Sequence, residues 1–407
     1  MPGGPARSQA SRRPGAEADS PSLGLPPGVR LAFLGNQDFT LWKFRGPWMQ
    51  ALARQGARVT VLSPPGPYVP RLRDLGLDVR EFPLDRLGTS LLSEWRTCRH
   101  LGAILRDLDP DLLHAFMAKP VIYGCLAARW SPRTRVVATI TGLGSIFIHD
   151  RFRTLQFLLR NLYRLSLRRA SRVIFQNPDD QAFFRRHRIV ADGRTTIIRG
   201  NGIPLPEPRQ GTPRPAGAPT TVLMTARLIE AKGVREFCQA AAMLRDRLPG
   251  VALRFLLVGT LDAGSPDALA DTELDALAAR SGVDRLGHQE DTDALLAQAD
   301  IFCLPSYREG LSVACLEAMA AGLPVVTTDA PGCRESVEPG VSGLLAPVGD
   351  AAGLAAALER LICDPDLRHR LGLAARLRCE REFSAARIFP QLAGEYRQVL
   401  IRGGTEA

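Results

Sequence analysis

Residues 301–326 read IFCLPSYREGLSVACLEAMAAGLPVV, and this stretch decides the architecture. Its opening, Ile301 to Pro305, is a short apolar run of the kind that parallel sheets bury on both faces. A loop containing Gly310 follows, then a helix that Ser312 can cap and Gly322 can end, then the apolar Val325-Val326 of a further strand. Strand, loop, helix and strand in that order make one unit of a parallel α/β sheet. The amino end of the helix, with N–H groups at Gly310, Leu311 and Ser312, then points into the crevice beyond a strand's carboxyl end. Such a place suits an anion, because the N–H groups and the helix dipole both favour negative charge. Glu309 and Glu317 flank it and can hold hydroxyl groups. The ligand that fits is a phosphate with a polyol at each end.

The same alternation extends in both directions. Towards the amino terminus, strand-like runs stand at 29–34, 59–62, 112–116, 135–140, 173–175 and 196–198, with helical patterns between them. A Pro-rich segment from Pro204 to Pro219 reads as a linker, after which the pattern restarts at Thr221. The reading is two α/β domains joined by a linker: a disordered tail over 1–28, a domain over 29–205, a linker over 206–219, a second domain over 220–385 and a last helix over 386–407. At 407 residues the chain is comfortable for two such cores.

Charge divides with the domains. Residues 31–210 carry 28 Lys/Arg against 14 Asp/Glu, a balance of +14, whereas residues 211–407 carry 20 against 26, a balance of −6. A basic half attracts nucleic acid, anionic lipid or a phosphorylated acceptor. No run approaches the ~18 apolar residues of a membrane span. Met1 to Pro27 holds Pro, Gly, Ser and Arg without the apolar centre of a signal peptide and reads as a disordered tail. The eight cysteines lack C-x-x-C spacing and read as reduced core residues, with no metal site.

Arg227 and Lys232 leave the end of the strand-like run Thr221 to Met224, where ligands bind in open α/β sheets. Two cations there can neutralise a diphosphate leaving group. Gly259, after Phe255-Leu256-Leu257-Val258, fits a strand end that a ligand approaches closely. Thr141-Gly142-Leu143-Gly144 begins like a dinucleotide fingerprint, but Phe147 stands where the third glycine is needed, so NAD is not supported. Gly142 and Gly144 remain candidates for the cleft. Between Arg151 and Arg172, five arginines (153, 160, 164, 168, 172) and five leucines (155, 158, 159, 162, 165) segregate to opposite helical faces. Such a helix either lies on an anionic membrane surface or packs its leucines inward as an ordinary surface helix.

The Glu-x7-Glu segment, with Glu309-Gly310-Leu311 and Glu317 to Val326, resembles the donor-binding signature of family 4 retaining glycosyltransferases. That resemblance implies the GT-B arrangement of two Rossmann-like domains, with the last helix crossing back onto the first. It implies a diphosphate clamp of Arg227 and Lys232, with Glu309 on the donor sugar and Glu317 on the ribose. It also implies backbone contacts to the base near Gly287-His288, the His288 side chain being either a ligand contact or a solvated loop residue. His114 matches the first histidine of a His-x-His pair whose second position is Phe116 here. It is either a cleft contact or a satisfied strand-end histidine. The first half, through Phe44-Arg45-Gly46-Pro47, Pro110 to His114, Ala138 to Ser145 and Val173 to Asn177, is similar to bacterial transferases that extend polyprenyl-diphosphate-linked sugars. The implied reaction moves a hexose or N-acetylhexosamine from a UDP-sugar, without metal or cofactor, at the cytoplasmic face of the inner membrane. A sugar-nucleotide epimerase of the same fold is the rival reading, and a basic nucleic-acid-binding protein is the rival from another class. Against the latter, the basic residues form no known nucleic-acid module.

Overall fold

The computed structural model describes residues 22–402, apart from 86, 87, 89, 148–151, 208–216 and 263. The first sheet has seven parallel strands: β1 (Arg30–Leu34), β2 (Arg58–Ser63), β3 (Asp78–Glu81), β4 (Leu112–Phe116), β5 (Arg135–Ile140), β6 (Arg172–Phe175) and β7 (Thr195–Ile197). Their order is β3-β2-β1-β4-β5-β6-β7. On one face lie α1 (Asp38–Thr40), α2 (Gly46–Arg54) and α3 (Val69–Asp74); on the other lie α4 (Leu91–Leu108), α5 (Ala118–Ala127) and α6 (Arg153–Ser166), and α7 (Pro178–Arg186) precedes β7.

The second sheet has six parallel strands: β8 (Thr220–Thr225), β9 (Leu253–Val258), β10 (Val283–Gly287), β11 (Ile301–Leu304), β12 (Val325–Thr328) and β13 (Gly343–Ala346). Its order is β10-β9-β8-β11-β12-β13. Around it stand α8 (Val234–Arg247), α9 (Asp271–Ser281), α10 (Thr292–Gln298), α11 (Val313–Ala320), α12 (Ala351–Cys363) and α13 (Pro365–Arg378). In each sheet the strand order reverses once, at β1/β4 and at β8/β11. Such a reversal opens a crevice at the strands' carboxyl ends.

The last helix, α14 (Ala385–Arg402), leaves the second domain and packs on the first. Ile388, Leu392, Tyr396 and Val399 join a cluster with Leu31, Phe33, Trp48 and Leu52. Tyr396 closes a buried relay. Trp48 Nε1 donates to its hydroxyl at 3.1 Å, the hydroxyl lies against His114 Nδ1, and His114 Nε2 meets Thr139 Oγ1 at 2.7 Å. Both ring nitrogens of His114 are therefore occupied in the core, and the cleft role open to it in the sequence is withdrawn.

Two further expectations change. The tail over 1–28 was expected to be disordered to its end, yet Leu23 is buried. Its N–H donates to Gln55 Oε1 at 2.8 Å, and its carbonyl accepts from Arg397 of α14. The apolar side chain seals the seam between α2 and α14. The basic helix is shorter than the 151–172 pattern: it ends at Ser166, a 3₁₀ turn covers Leu167–Arg169, and Arg172 opens β6. Arg172 therefore leaves the arginine face and pairs with Glu395 of α14 at 2.6 Å; Arg151 falls outside the described residues. Seven of the eight cysteines are buried and Cys363 is exposed.

The two domains meet directly. Asn177 caps α7 by accepting from Asp180 N at 2.7 Å, and its Nδ2 donates across the cleft to the carbonyls of Gly310 (2.7 Å) and Glu309 (3.3 Å). Beside it, buried Asp180 pairs with Arg308, and Asp179 with Arg334 at 3.1 Å. Burial pushes the Asp180 carboxyl above its usual range, and Arg308 opposes that shift. Gly142 and Gly310 touch backbone to backbone, since a Cβ on Gly310 would sit 2.1 Å from Thr141 O.

Substituting Asn177 should loosen the interlock. Asn177→Asp keeps an acceptor for the cap but cannot donate to Gly310 O, so a loss of about 1–3 kcal/mol is expected in urea unfolding. Wild-type stability in Asn177→Asp would show that the cross-cleft bonds contribute nothing. A second expectation concerns acid. Burial, reinforced by Arg45, holds His114 well below the usual imidazole range. The unfolded chain takes up a proton near pH 6.5 that the folded core refuses. This contribution is thus fully present above about pH 6.5 and is lost as pH falls below it, by up to about 1.4 kcal/mol per pH unit. Melting temperature measured between neutral pH and pH 5.5 should fall less steeply for His114→Gln. Parallel curves would contradict a neutral buried imidazole.

Candidate active site

The crevice at the β8/β11 reversal holds most of the residues singled out in the sequence. After β8 the chain makes a one-turn 3₁₀ helix at Glu230–Lys232 and enters α8 through Gly233. After β11 it passes Ser306 to Ser312 and enters α11, with Ser312 accepting from Cys315 N at 3.3 Å. Tyr307 N donates to Ala231 O at 2.9 Å and ties the two loops together. Lys232 Nζ consequently meets Glu309 Oε1 directly, and Ser306 Oγ donates to the same oxygen at 2.8 Å. Their side chains are only 16% and 14% exposed, so each charge depends on the other for its solvation.

Glu317 lies on the first turns of α11, facing the first domain. Its partner is Lys43, from the π-turn Leu41–Arg45 that follows α1, with Nζ 3.5 Å from Oε1. Lys43 also donates to Thr292 Oγ1 at 3.2 Å. Burial raises the Glu317 carboxyl and Lys43 lowers it, with burial the larger effect. At the mouth, Arg71 pairs with Glu290 at 2.9 Å, and exposed His288 stands edge-on to Phe39 with ring centres 6.4 Å apart.

Arg227 joins neither carboxylate. It leaves the same β8 end but pairs with Asp262 at 2.8 Å and stays 52% exposed. Gly259, at φ +149°, is confined to glycine, because a Cβ there would fall 1.7 Å from Ala226 O. One sequence expectation needs correction: the Ser312 N–H is not free for a ligand, since it donates to Gly332 O at 3.2 Å. Leu311 buries its side chain beneath the loop, and Gly144, at φ +75°, stands in open space.

Sequence reading missed Lys43, Asn177 and Ser306 as parts of this crevice. Ser306 lay inside the decisive stretch, three residues before Glu309, and a hydroxyl beside a carboxylate was a usable signal. Lys43 and Asn177 had none, since Lys43 precedes Thr292 by 249 residues and only the domain contact brings them together. The arrangement is a half-buried cation–carboxylate pair at a helix amino end, with a second half-buried carboxylate on that helix and a second cation at the rim. That set can neutralise a bound diphosphate and hold hydroxyls on both sides of it.

Known proteins resemble this chain in sequence and in fold. Residues 219–364 match the family model described as glycosyl transferases group 1, and residues 30–177 match the one described as glycosyl transferase 4-like. The chain is 32% identical over 356 residues to the N,N'-diacetylbacillosaminyl-diphospho-undecaprenol alpha-1,3-N-acetylgalactosaminyltransferase of Campylobacter jejuni, covering 84% of this chain and 92% of that one. It is 38% identical over 183 residues to the amylovoran biosynthesis glycosyltransferase AmsK of Erwinia amylovora, covering 43% and 44% respectively. Among solved structures, Anabaena HepE in complex with UDP and glucose superposes with a TM-score of 0.74 at 22% identity, over 91% of this chain and 99% of that one. The sheet orders, the crevice at the β8/β11 reversal and these similarities together make the chain a GT-B-fold member of the group 1, family 4-like glycosyltransferases.

Proposed function

We propose that this glycosyltransferase moves a hexose or N-acetylhexosamine from a UDP-sugar, with retention, to a sugar carried on a polyprenyl diphosphate. The observation that carries the reading is the Lys232–Glu309 pair at the β8/β11 reversal, in contact with a basic first domain. The Campylobacter relative, named for N-acetylgalactosaminyl transfer to a diphospho-undecaprenol-linked sugar, supports the acceptor class. In this reading Lys232 and Arg227 take the charge that gathers on the departing diphosphate, Glu309 holds the donor sugar's hydroxyls and Glu317 the ribose's. Because the neutralising charges come from side chains, no divalent metal is required.

Lys232→Ala and Arg227→Ala should each lower kcat/KM, the former by about 10²–10³-fold, corresponding to ~2.7–4 kcal/mol of transition-state stabilisation. Arg227 itself is 52% exposed but its partner Asp262 only 10%, so the melting temperature is measured alongside turnover. Full turnover in Arg227→Ala at an unchanged melting temperature would remove it from the clamp. Turnover should also survive EDTA; loss restored by Mg²⁺ or Mn²⁺ would overturn the metal-free reading.

Donor class is read by thermal stabilisation. Saturating UDP or a UDP-sugar, near 100 times Kd, adds about 2.7 kcal/mol to the folded state and raises the melting temperature by a few degrees. GDP-mannose and ADP-glucose should leave it unmoved, and a larger shift with either would reassign the nucleotide.

The acceptor's lipid places the reaction at an anionic membrane surface, on the cytoplasmic face of the inner membrane in this proposal. No helix among the described residues is long and apolar enough to cross a bilayer. Docking has a surface to use instead: the α4–α6 face of the first sheet leaves Leu92, Trp95, Trp130, Leu155, Phe157, Leu158 and Leu165 exposed. The leucine face of α6 divides, with Leu159 and Leu162 packed against the core and Leu155, Leu158 and Leu165 facing solvent. An apolar stripe beside arginines suits the interface of an anionic bilayer.

A further inference from the structure

The far edge of the first domain gathers arginines around one opening. The carboxyl ends of the strands face the cleft, so α6 and α7, which run back towards the strands' amino ends, finish on the opposite edge. Between their last turns and the segment entering β7 lies a cavity of about 440 Å³. Arg164, Arg168, Arg185, Arg188 and Arg194 line it, with Asp192 as the one acid among its lining residues.

These arginines are built in rather than scattered. Arg164 donates to the carbonyls of His187 (2.8 Å) and Arg188 (3.3 Å), and Arg194 to those of Arg168 (3.1 Å) and Ala170 (3.2 Å). Carbonyl bonds fix a guanidinium in place without neutralising it. Asp192 is engaged by Arg185 at 2.6 Å. Arg168 and Arg188 are exposed, and neither has an ion-pair partner among the described residues. Arg188 is held at φ +50°, a backbone setting that non-glycine residues rarely adopt. The neighbouring His187 imidazole is lowered mainly by burial, and further by Arg160, Arg186 and Arg164, of which Arg164 lines the cavity.

Five guanidinium groups around one carboxylate suit a ligand with phosphate oxygens. The adjoining surface identifies the source. Leu165, beside Arg164, is exposed, as are Leu158 and Phe157 further up α6. A soluble phosphate would satisfy the arginines and leave that stripe in water. An anionic phospholipid satisfies both, with its phosphate in the cavity and its acyl region under α6. We propose that the cavity binds the headgroup phosphate of an anionic glycerophospholipid of the phosphatidylglycerol type. This rests on the membrane docking proposed above and adds a headgroup preference to it.

The test is sedimentation of the full-length protein with three kinds of vesicle: phosphatidylcholine alone, phosphatidylcholine with phosphatidylglycerol, and phosphatidylcholine with oleate at the same surface charge. Wild type should favour phosphatidylglycerol over oleate. Arg168→Gln with Arg188→Gln should weaken phosphatidylglycerol binding by more than about tenfold and abolish that preference. Arg54→Gln with Arg58→Gln removes the same charge from exposed positions on α2 and β2, away from the cavity, and should keep it. Melting temperatures confirm folding in both pairs. Equal losses in the two double variants, or equal wild-type binding to phosphatidylglycerol and oleate, would reduce the cavity to bulk charge and overturn it while leaving docking intact. Wild type that ignores every vesicle sinks docking and cavity together. If sn-glycerol 1-phosphate stabilises wild type but not Arg168→Gln/Arg188→Gln, while both bind vesicles alike, the ligand is a soluble phosphate and the lipid assignment fails.

Discussion

The active crevice depends on one close approach, the backbone contact between Thr141-Gly142 and Gly310. No side chain fits on Gly310, because its Cβ would overlap Thr141 O. Two loops from different domains can therefore share one space, and Asn177 locks them by donating to the carbonyls of Glu309 and Gly310. The residue that meets Lys232 thus has its own carbonyl held by the opposite domain. Anything that displaces the first domain displaces Glu309, which couples the crevice of the second domain to the first sheet.

Charges across the cleft follow the same logic in both directions. The basic first domain sends Lys43 and Arg71 to Glu317 and Glu290, while the acidic start of α7 receives Arg308 and Arg334 in return. The pairs differ in weight. Arg71–Glu290 is exposed and adds little, whereas Asp180 is fully buried and would be left without a counter-ion if Arg308 were removed. On the far side of the first domain, α14 supplies a different fastening. Its Tyr396 reaches Trp48 and His114 in the core, so the chain's last helix belongs structurally to its first sheet. Leu23 extends that seam on the other flank of α14.

Much of this was legible in the sequence, for a physical reason. Parallel strands buried on both faces must be apolar runs, and the residues at their carboxyl ends are contiguous with them. The stretch 301–326 therefore showed strand, helix and both carboxylates together. Arg227 and Lys232 were placed at the right strand end by the same argument, although local spacing could not say that Lys232 would meet Glu309 while Arg227 turned to Asp262. Where local pattern misled, competing contacts won. The arginine periodicity ran through Arg172, but Glu395 and the start of β6 claimed that residue. His114 reads in the sequence as a strand-end residue, yet it is the middle residue of β4 and its face of the sheet is covered by α14.

The sequence by itself determined the two parallel α/β domains, the division of charge between them and the glutamate-bearing helix, because each is written in contiguous residues whose period, caps and composition act over a few turns. The tertiary structure alone decided which partner each charge received. Lys43 on Glu317, Asn177 on Gly310, Tyr396 on His114 and the five arginines around the far cavity all join segments distant in sequence. Such pairings depend on how two sheets and a returning helix pack in space, and a one-dimensional pattern carries no record of which distant residues share a cavity or a cleft.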